Sequence, residues 1–327
     1  INLHGHVGNT KGLNQDRSFF TRESVIANLR LYALYGVTTT TSMGTDEDTM
    51  IQFRDERNRG AFQGARVLTA LQGFTTTGGY PTTAPGVKGV AREFDKLPPA
   101  VYEAIIDQAH KHKLPAFAHL YELEDAKRLV RAGIDIIGHS IRDADVDDEL
   151  IELMKKNDVY FAPTITRELS TYVYHDPPKW LDEPFFRKGV DEALVAEVKT
   201  KLKAAQSDPK IVEQGREDFA MAMKNVKRLT DAGVKVAFGT DTGPIGRFPG
   251  FFEHWEIELM VEAGIKPMRV IEAWSKYSSE ALRIDKQVGV LAKGKIADLV
   301  VLDADPLADI RNTRKIHSVY LSGKKFE

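Results

Sequence analysis

The sequence contains no cysteine, which excludes disulfide bonds and thiolate metal ligands. A metal site in this chain would therefore be built from imidazole and carboxylate groups. Apolar runs of about 18 residues, the length of a transmembrane helix, are also lacking, so we expect no membrane span. Neither sign of charge is in excess, because 45 Lys and Arg residues are balanced by 47 Asp and Glu residues. The charge pattern therefore gives no reason to expect nucleic acid or a membrane as partner, and a small-molecule substrate is expected.

No signal-peptide pattern opens the chain, which starts at Ile1 in a strand-like stretch that leads directly into His4. We expect residues upstream of Ile1 to be missing from this sequence, together with any targeting segment. The location of the protein, cytoplasmic or secreted, stays open, and so does the question of a homo-oligomer.

Helix-period segments alternate with short β-branched runs up to about residue 285, which is typical of βα units on a parallel sheet. We predict seven strands, one before His4 and the others at residues 37–42, 66–71, 114–119, 134–139, 159–164 and 234–240. The predicted helices lie at residues 22–35, 98–112, 123–132, 145–156 and 267–282, with a further long helix ending near residue 232. The sequence thus predicts an α/β fold, a (β/α)8 TIM barrel in residues 1–285. A fourth strand is not visible between Gln72 and Pro98.

Residues 286–327 have a different character, with two strand-like runs at residues 297–302 and 317–321 that are separated by turns. Two or three strands are only marginally stable alone. We therefore predict a small C-terminal β portion whose partners come from residues upstream of Ile1.

Two histidines, His4 and His6, lie two positions apart in the first predicted strand. On a strand such residues point to one face with Cα atoms about 7 Å apart, so both rings can bind one metal ion. His110 and His112 have the same spacing but lie at a predicted helix C-terminus beside lysines, where imidazoles cap the helix. We predict a metal site at the first pair and a surface position for the second.

Three further polar residues follow buried strands at their carboxyl ends: His119, His139 and Asp241. Each alone is consistent with an ordinary polar residue at a strand end. In a parallel barrel, however, the carboxyl ends of the strands meet at one mouth, where these folds keep their active sites. Four histidines and one aspartate converging there predict a metal centre.

Several motifs give the chain a family resemblance: Asn-Leu-His-Gly-His at the start, Gly-His139-Ser, Gly-Thr-Asp241-Thr-Gly, and Gly-Lys-Ile-Ala-Asp-Leu-Val-Val-Leu-Asp at residues 294–303. In these motifs the sequence resembles the amidohydrolase superfamily, in the branch of imidazolonepropionase-like proteins, Xaa-Pro dipeptidases and related carboxypeptidases. The resemblance implies that the C-terminal residues 286–327 belong to a composite β-sandwich. It also implies that His4, His6 and Asp241 bind one divalent metal ion and that His119 and His139 bind a second.

Zinc is the favoured metal, with one or two ions per chain, although imidazole and carboxylate ligands suit Mn, Co or Fe as well. The resembling branch bridges two metals with a carboxylated lysine or a glutamate at the end of strand four. The nearest lysines here, Lys88 and Lys96, lie on no convincing strand. We expect a strand and helix to be missing near residues 90–97, a hypothesis that an intact mass above that of the printed sequence would support.

The resemblance implies hydrolysis of an amide, peptide or cyclic amide C–N bond by an activated water. Asp241 would transfer the proton from water to the leaving nitrogen, and His139 would help to hold the oxyanion. Loops that leave the predicted active face supply candidates for substrate contact: Tyr80, Tyr121, Arg142, Arg167 and His254. An arginine there would bind a substrate carboxylate or form an ordinary salt bridge. The aromatic cluster around His254 would line a pocket or pack a helix.

Other functions remain open at this point. His119 and Glu122 have the His-x-x-Glu spacing by which deaminases of this superfamily place a general acid, so deamination of a heterocycle is an alternative. Ester, lactone and organophosphate hydrolysis also occur on this barrel, and the fold does not choose among them. A relative that binds a metal without turnover is the alternative from a different class, because the bridging lysine is not found.

Overall fold

The structure, a computed structural model, describes residues 1–77, 79 and 95–327. Tyr80 and Lys88 lie outside this part of the chain. Among the helices described, none combines the length and apolar character needed to cross a membrane.

The strands of the described residues are, in chain order, β1 (Asn2–Gly5), β2 (Thr10–Lys11), β3 (Asn14–Gln15), β4 (Thr39–Ser42), β5 (Arg66–Thr69), β6 (Phe117–His119), β7 (Ile136–Gly138), β8 (Tyr160–Ala162), β9 (Lys235–Val236), β10 (Leu299–Leu302), β11 (Ile316–Leu321) and β12 (Lys324–Lys325).

The α-helices are α1 (Arg22–Leu34), α2 (Met50–Asn58), α3 (Pro99–Lys111), α4 (Leu123–Arg131), α5 (Asp148–Lys156), α6 (Ile165–Ser170), α7 (Pro184–Arg187), α8 (Glu192–Glu197), α9 (Lys203–Ala205), α10 (Pro209–Asp231), α11 (Phe251–Glu262), α12 (Pro267–Glu272) and α13 (Ser278–Ala281). Turns of 3-10 helix occur at Arg17–Phe19, Val173–His175, Lys179–Asp182 and Ile310–Arg314, and π-helical turns at Val198–Leu202 and Ala273–Tyr277.

Two parallel sheets carry the predicted βα units. One has the order β1-β4-β5 and the other β6-β7-β8-β9. The backbone of β1 joins them, because Leu3 N donates to Phe238 O at 2.9 Å and His6 N donates to Thr242 O at 2.7 Å. Through these bonds the seven parallel strands run in the order β5-β4-β1-β9-β8-β7-β6, with β5 and β6 at the two ends. The predicted fourth strand falls between Gln72 and Pro98, largely outside the described residues, and remains a prediction.

Apolar packing holds helices against this sheet. The largest cluster joins the second half of the strands to α4, α5, α10 and α11, and its fully buried members include Ile137, Phe161 and Val226. A smaller cluster packs α1 and α2 against β4 and β5. Leu3, Ile136 and Ala237 pack together in a third cluster, so alternate residues of β1 and β7 face a common interior. The carboxyl ends of the strands lie above that interior.

The C-terminal strands form an antiparallel sheet of order β10-β11-β12. It packs on α1 through Ala33, Val319 and Leu321. Both predicted strands are therefore present with slightly shifted bounds, and β12 is an addition that the sequence did not predict. A second layer of the β-sandwich, and the division of the chain at residue 285, remain predictions.

Candidate metal centre

The five predicted ligands come from the ends of four parallel strands. His4 lies on β1 and His6 directly follows it, His119 is the last residue of β6, and His139 directly follows β7. Asp241 lies beyond β9, and its backbone N donates to His4 O at 2.6 Å. The structure therefore brings all five side chains to one mouth, as the strand-end pattern predicts.

Their ligand atoms form two overlapping groups, each within 4.8 Å, one of His4, His6 and Asp241 and the other of His4, His119 and His139. Asp241 Oδ1 lies 2.8 Å from His6 Nε2 and 3.4 Å from His4 Nε2. His119 Nδ1 lies 2.9 Å from His139 Nε2. His4 thus belongs to both groups, whereas the family resemblance places it with the first metal only.

The ring of His4 is the strongest sign that the site suits a metal. It is fully buried, and neither ring nitrogen has a hydrogen-bond partner among the described residues. A buried polar atom without a partner costs about 1–3 kcal/mol. A bound cation would engage such a nitrogen, and four imidazoles with one carboxylate are a donor set that fits zinc and similar divalent ions.

The charge states of these groups also suit metal ligation, which needs neutral imidazole and ionised carboxylate. Burial holds the pKa of His4 and of His139 well below the usual histidine value. Desolvation, together with the positive charges of Arg167 and Arg247, also lowers the pKa of His119 to about 4, although its side chain is exposed at the mouth. Burial opposes ionisation of Asp241, yet Arg247 and the rings of His4 and His6 outweigh it and hold the pKa of Asp241 well below its ordinary value.

Three residues at the strand ends have left-handed backbone conformations that non-glycine residues seldom adopt. The φ angles are +75° for His139, +51° for Thr164 and +58° for Asp241. Such conformations cost about 1–3 kcal/mol each and occur preferentially at functional sites. Here they turn two ligands, and a threonine that contacts one of them, toward the mouth.

Two threonines that the sequence did not single out orient the rings. Thr164 Oγ1 lies 2.8 Å from His139 Nδ1, and Thr45 Oγ1 lies 3.2 Å from His6 Nδ1. Each threonine contacts the Nδ1 atom of its histidine, so the Nε2 atom faces the cluster. Partners of metal-binding histidines fix the orientation of the ring in this way. Neither threonine has a sequence motif of its own, and only the position of Thr164 at the end of a predicted strand is a signal.

Arg247 is a further residue that sequence reasoning missed. Its guanidinium donates to Asp241 Oδ2 at the mouth. A tight turn holds it there, since Arg247 N donates to Pro244 O at 3.0 Å and Arg247 O accepts from Gly243 N at 2.9 Å. The loop after β9 thus supplies both a predicted ligand and its counter-charge.

Of the substrate candidates, Arg142 and Arg167 lie on either side of the fully buried Glu168. Arg142 Nη1 donates to Glu168 Oε1 at 2.6 Å and Arg167 Nη1 donates to Glu168 Oε2 at 2.8 Å. Arg142 is itself buried, whereas 27% of the Arg167 side chain is exposed. The positive charge of Arg167 contributes to the lowered pKa of His119 and His139, so its guanidinium lies near the metal cluster.

Tyr121 and Arg142 line a cavity of about 580 Å³ between the loops after β6 and β7 and helix α10. The Arg142 guanidinium lies 4.6 Å above the Tyr121 ring, and the Tyr121 hydroxyl donates to Asp218 at 3.2 Å. The remaining wall includes acidic and basic side chains, Asp143 and Lys224 among them. This cavity has the size of a small-molecule site.

His254 is not at the mouth but in the packed interior. Only 1% of it is exposed, with Nε2 2.8 Å from Tyr35 O and Nδ1 3.0 Å from Thr313 Oγ1. Its ring packs edge-on against Trp274. Both nitrogens are therefore used within the fold, and helix packing, the second reading of this aromatic cluster, describes its surroundings.

Lys96 and His110 lie at the surface. Lys96, half exposed, forms ion pairs of 2.7 Å with both Glu122 and Asp125. Glu122 is in neither of the two described ligand groups. His110, of the second histidine pair, forms a 2.8 Å ion pair with Asp135 beyond the end of α3.

Comparison with known proteins now adds to this geometry. Comparison with curated protein sequences gave no match. Among solved structures, a Xaa-Pro dipeptidase with bound methionine has a TM-score of 0.77 and 21% identity, over 100% of this chain and 85% of that chain. The ochratoxinase of A. niger has a TM-score of 0.74 and 17% identity, over 100% and 82%. Molinate hydrolase has a TM-score of 0.70 and 19% identity, over 99% and 82%.

These likenesses show a common fold, the TIM-barrel-like α/β fold that the strand order of the described residues also indicates. The model of the amidohydrolase family matches residues 23–326, which is most of the chain. As its motifs predicted, the chain therefore belongs to the amidohydrolase family of hydrolases.

Proposed function

We propose that this protein is a metal-dependent hydrolase that cleaves an amide, peptide or cyclic amide C–N bond in a small substrate. The observation that carries the proposal is the fully buried His4, whose two ring nitrogens form no hydrogen bond among the described residues and lie among three other histidines and Asp241. Family membership supports hydrolysis of C–N bonds, and the donor set supports a divalent metal, with zinc favoured and one or two ions per chain.

A divalent metal bound at this cluster would lower the pKa of a water molecule to about 7 and polarise the scissile carbonyl. His4, His6 and Asp241 would hold one ion, and His119 and His139, with His4 close to both, would hold another. Lys96, the described lysine nearest in sequence to the expected bridging position, is engaged at the surface.

Asp241 is the proposed proton carrier. Its pKa is held well below the ordinary value, so the carboxylate is in the form that accepts a proton from water. It would then deliver that proton to the leaving nitrogen. Arg247 fixes the orientation of the carboxylate by its contact with Oδ2. His139, whose Nε2 lies 4.0 Å from Asp241 Oδ2, is the second proposed catalytic residue and would face the oxyanion.

Substrate recognition is assigned to Arg167 and to the wall of the cavity, whose lining includes none of the predicted ligands. Arg167 would bind a substrate carboxylate, because its guanidinium is partly exposed and lies near the histidines. Tyr121 and Arg142 would line that cavity. Tyr80, outside the described residues, stays a candidate. An acylated amino acid or a Xaa-Pro dipeptide fits this arrangement, and a dipeptidase is among the proteins that share the fold.

The deaminase alternative gains no support from the site. Its motif requires Glu122 as a general acid beside the cluster, but Glu122 lies in a surface ion pair with Lys96. We also propose the barrel and β-sandwich division near residue 285 that the sequence predicts.

The function can be tested with zinc-loaded protein and three substrate panels: Xaa-Pro dipeptides, N-acyl amino acids, and purines and pyrimidines assayed for ammonia. Turnover in the first two panels, lost in Asp241→Asn, is expected. Ammonia release alone would replace this proposal with deamination. Silence in all panels, at full metal loading, would leave a binding protein without turnover.

A further inference from the structure

A fully buried carboxylate, Glu253, lies in the first turn of α11 and is not used in the mechanism above. Its Oε1 accepts hydrogen bonds from Asn2 Nδ2 at 2.7 Å, Thr240 Oγ1 at 2.9 Å and Thr242 Oγ1 at 2.7 Å. Its Oε2 accepts from Gly250 N at 2.5 Å. Asn2 and the two threonines are also fully buried. This carboxylate therefore has four donors and no contact with solvent.

Each side-chain partner of Glu253 is joined to a predicted metal ligand. Asn2 Oδ1 accepts from the backbone N of His4 at 3.0 Å, so Asn2 holds β1 where that ligand lies. Thr240 and Thr242 are the residues on either side of Asp241. Glu253 thus connects the first strand of the barrel with the segment beyond its last strand, directly next to both ligands.

A buried carboxylate is a costly way to fill space, because apolar side chains of the same size pack without any desolvation penalty. Its advantage is directional: hydrogen bonds fix distances and orientations that apolar contacts leave loose. The hydrogen bonds of Glu253 reach two residues that must stay at a fixed separation if both are to bind one ion.

We propose that Glu253 is a positioning residue of the metal centre, which sets the separation of His4 and Asp241 through Asn2, Thr240 and Thr242 and thereby sets metal affinity. This inference rests on the proposed function in one respect only, that His4 and Asp241 ligate a metal ion. Glu253 itself touches neither metal nor substrate.

Helix α11 offers a matched control. Glu258 is also buried, with 9% exposure, but its carboxylate forms a bidentate ion pair with Arg314 at 2.6 and 2.7 Å. None of its described hydrogen bonds reaches a predicted metal ligand. Glu253→Gln and Glu258→Gln therefore both disturb a buried carboxylate of one helix, and only the first disturbs the link to the ligands.

The experiment is zinc titration calorimetry on chelator-stripped wild-type protein and both variants, with denaturant unfolding of the same metal-free samples. Glu253→Gln is expected to weaken zinc binding about 10- to 100-fold. Glu258→Gln is expected to bind zinc as the wild type does, even where it lowers the unfolding midpoint. Equal zinc affinity in Glu253→Gln and Glu258→Gln would overturn the proposal.

If Glu253→Gln does not fold, Thr242→Val provides the same test with a smaller change, because it removes one donor to Glu253 and keeps the shape. Thr313→Val, which alters another buried threonine whose hydroxyl contacts His254, is its control. Wild-type zinc affinity in Thr242→Val would again contradict the proposal. A wild-type protein that binds no zinc, manganese or cobalt would instead overturn the metal centre itself, which separates the two failures.

Discussion

Thr164 illustrates how much of the site depends on single hydroxyl groups. Its Oγ1 lies 2.8 Å from His139 Nδ1. Replacing it by valine in Thr164→Val keeps the shape and β-branching but removes the contact, so the His139 ring loses its fixed orientation. We expect zinc affinity or kcat/KM to fall about 10- to 100-fold, measured by calorimetry and steady-state kinetics.

Thr164→Ser is the control for this prediction, because it keeps the hydroxyl. Thr164→Ser should retain most of the wild-type zinc affinity and kcat/KM. If the serine and valine variants lose the same amount, backbone conformation rather than the hydroxyl orients His139.

His254 gives a prediction about pH. Burial lowers the pKa of His254 to about 3, so the folded protein keeps this ring neutral while the unfolded chain protonates it near pH 6.5. The unfolded state then binds more protons, and stability falls as the pH drops from about 6.5. Between pH 6.5 and pH 5 the loss from this one group is about 1.5 kcal/mol.

The test compares His254→Gln with wild type by denaturant unfolding at both pH values, with chelator present. The variant should lose about 1.5 kcal/mol less than wild type over this interval, whatever its absolute stability. His112→Gln, at an exposed position, controls for the exchange of a histidine for glutamine outside the packed interior. If His254→Gln and wild type lose the same unfolding free energy over this pH interval, the ring of His254 is not kept neutral by burial in the folded protein.

At the residue scale, the sequence predicted those candidate site residues that lie at the end of an apolar strand. His119 and His139 could be found because each ends an apolar run, and a strand end has a known place in this fold. Thr45 and Arg247 could not, because their contacts join separate loops and leave no local pattern. His254 was placed with the substrate contacts for the same reason, since its partners Tyr35 and Thr313 are distant in sequence.

At the scale of elements, the turn after Asp241 depends on Gly243. Its φ is +113°, and a Cβ there would lie 2.2 Å from His6 O, a backbone atom that cannot easily move. Gly243→Ala would therefore push the β9 loop away from β1, at a cost of about 2–4 kcal/mol in unfolding free energy. Chemical denaturation measures this loss, and zinc titration should show weaker binding.

Gly294→Ala is the matched comparison. Gly294 has a similar φ of +88° but no atom within 4 Å of the added Cβ. Only backbone strain of about 1–2 kcal/mol is expected there, with unchanged zinc affinity. Equal effects of the two substitutions would mean that the close approach to His6 does not matter.

Strands and helices whose hydrophobic residues repeat with a clear period were predicted well. Segments without such a repeat were not. Predicted helix 22–35 corresponds to α1, and predicted strand 134–139 contains β7. Residues 171–208 form 3-10, π and short α segments that pack as an aromatic cluster around Trp180. Such short segments carry no period of their own, and their conformation depends on that tertiary packing.

For the whole molecule, the C-terminal sheet is expected to be inseparable from the rest. Ile310 belongs to the largest core cluster, and Arg314 pairs with the buried Glu258. A chain ending at residue 285 would leave that carboxylate unpaired, which costs about 3–5 kcal/mol, and would uncover Ala33 on α1. We expect this truncated chain to show no cooperative thermal transition by circular dichroism.

A chain ending at residue 322, which removes only β12, is the comparison and should unfold cooperatively near the wild-type midpoint. Cooperative unfolding of the shorter chain at that midpoint would show instead that residues 1–285 are an independent domain.

The contact between His6 and Asp241 joins residues 235 positions apart in the sequence. During synthesis on a ribosome, His4 and His6 emerge long before the aspartate that completes their group. No nascent chain that ends before Asp241 can bind the first metal ion with its full set of ligands. A metal ion bound as proposed would therefore have its full set of ligands only after Asp241 has been made.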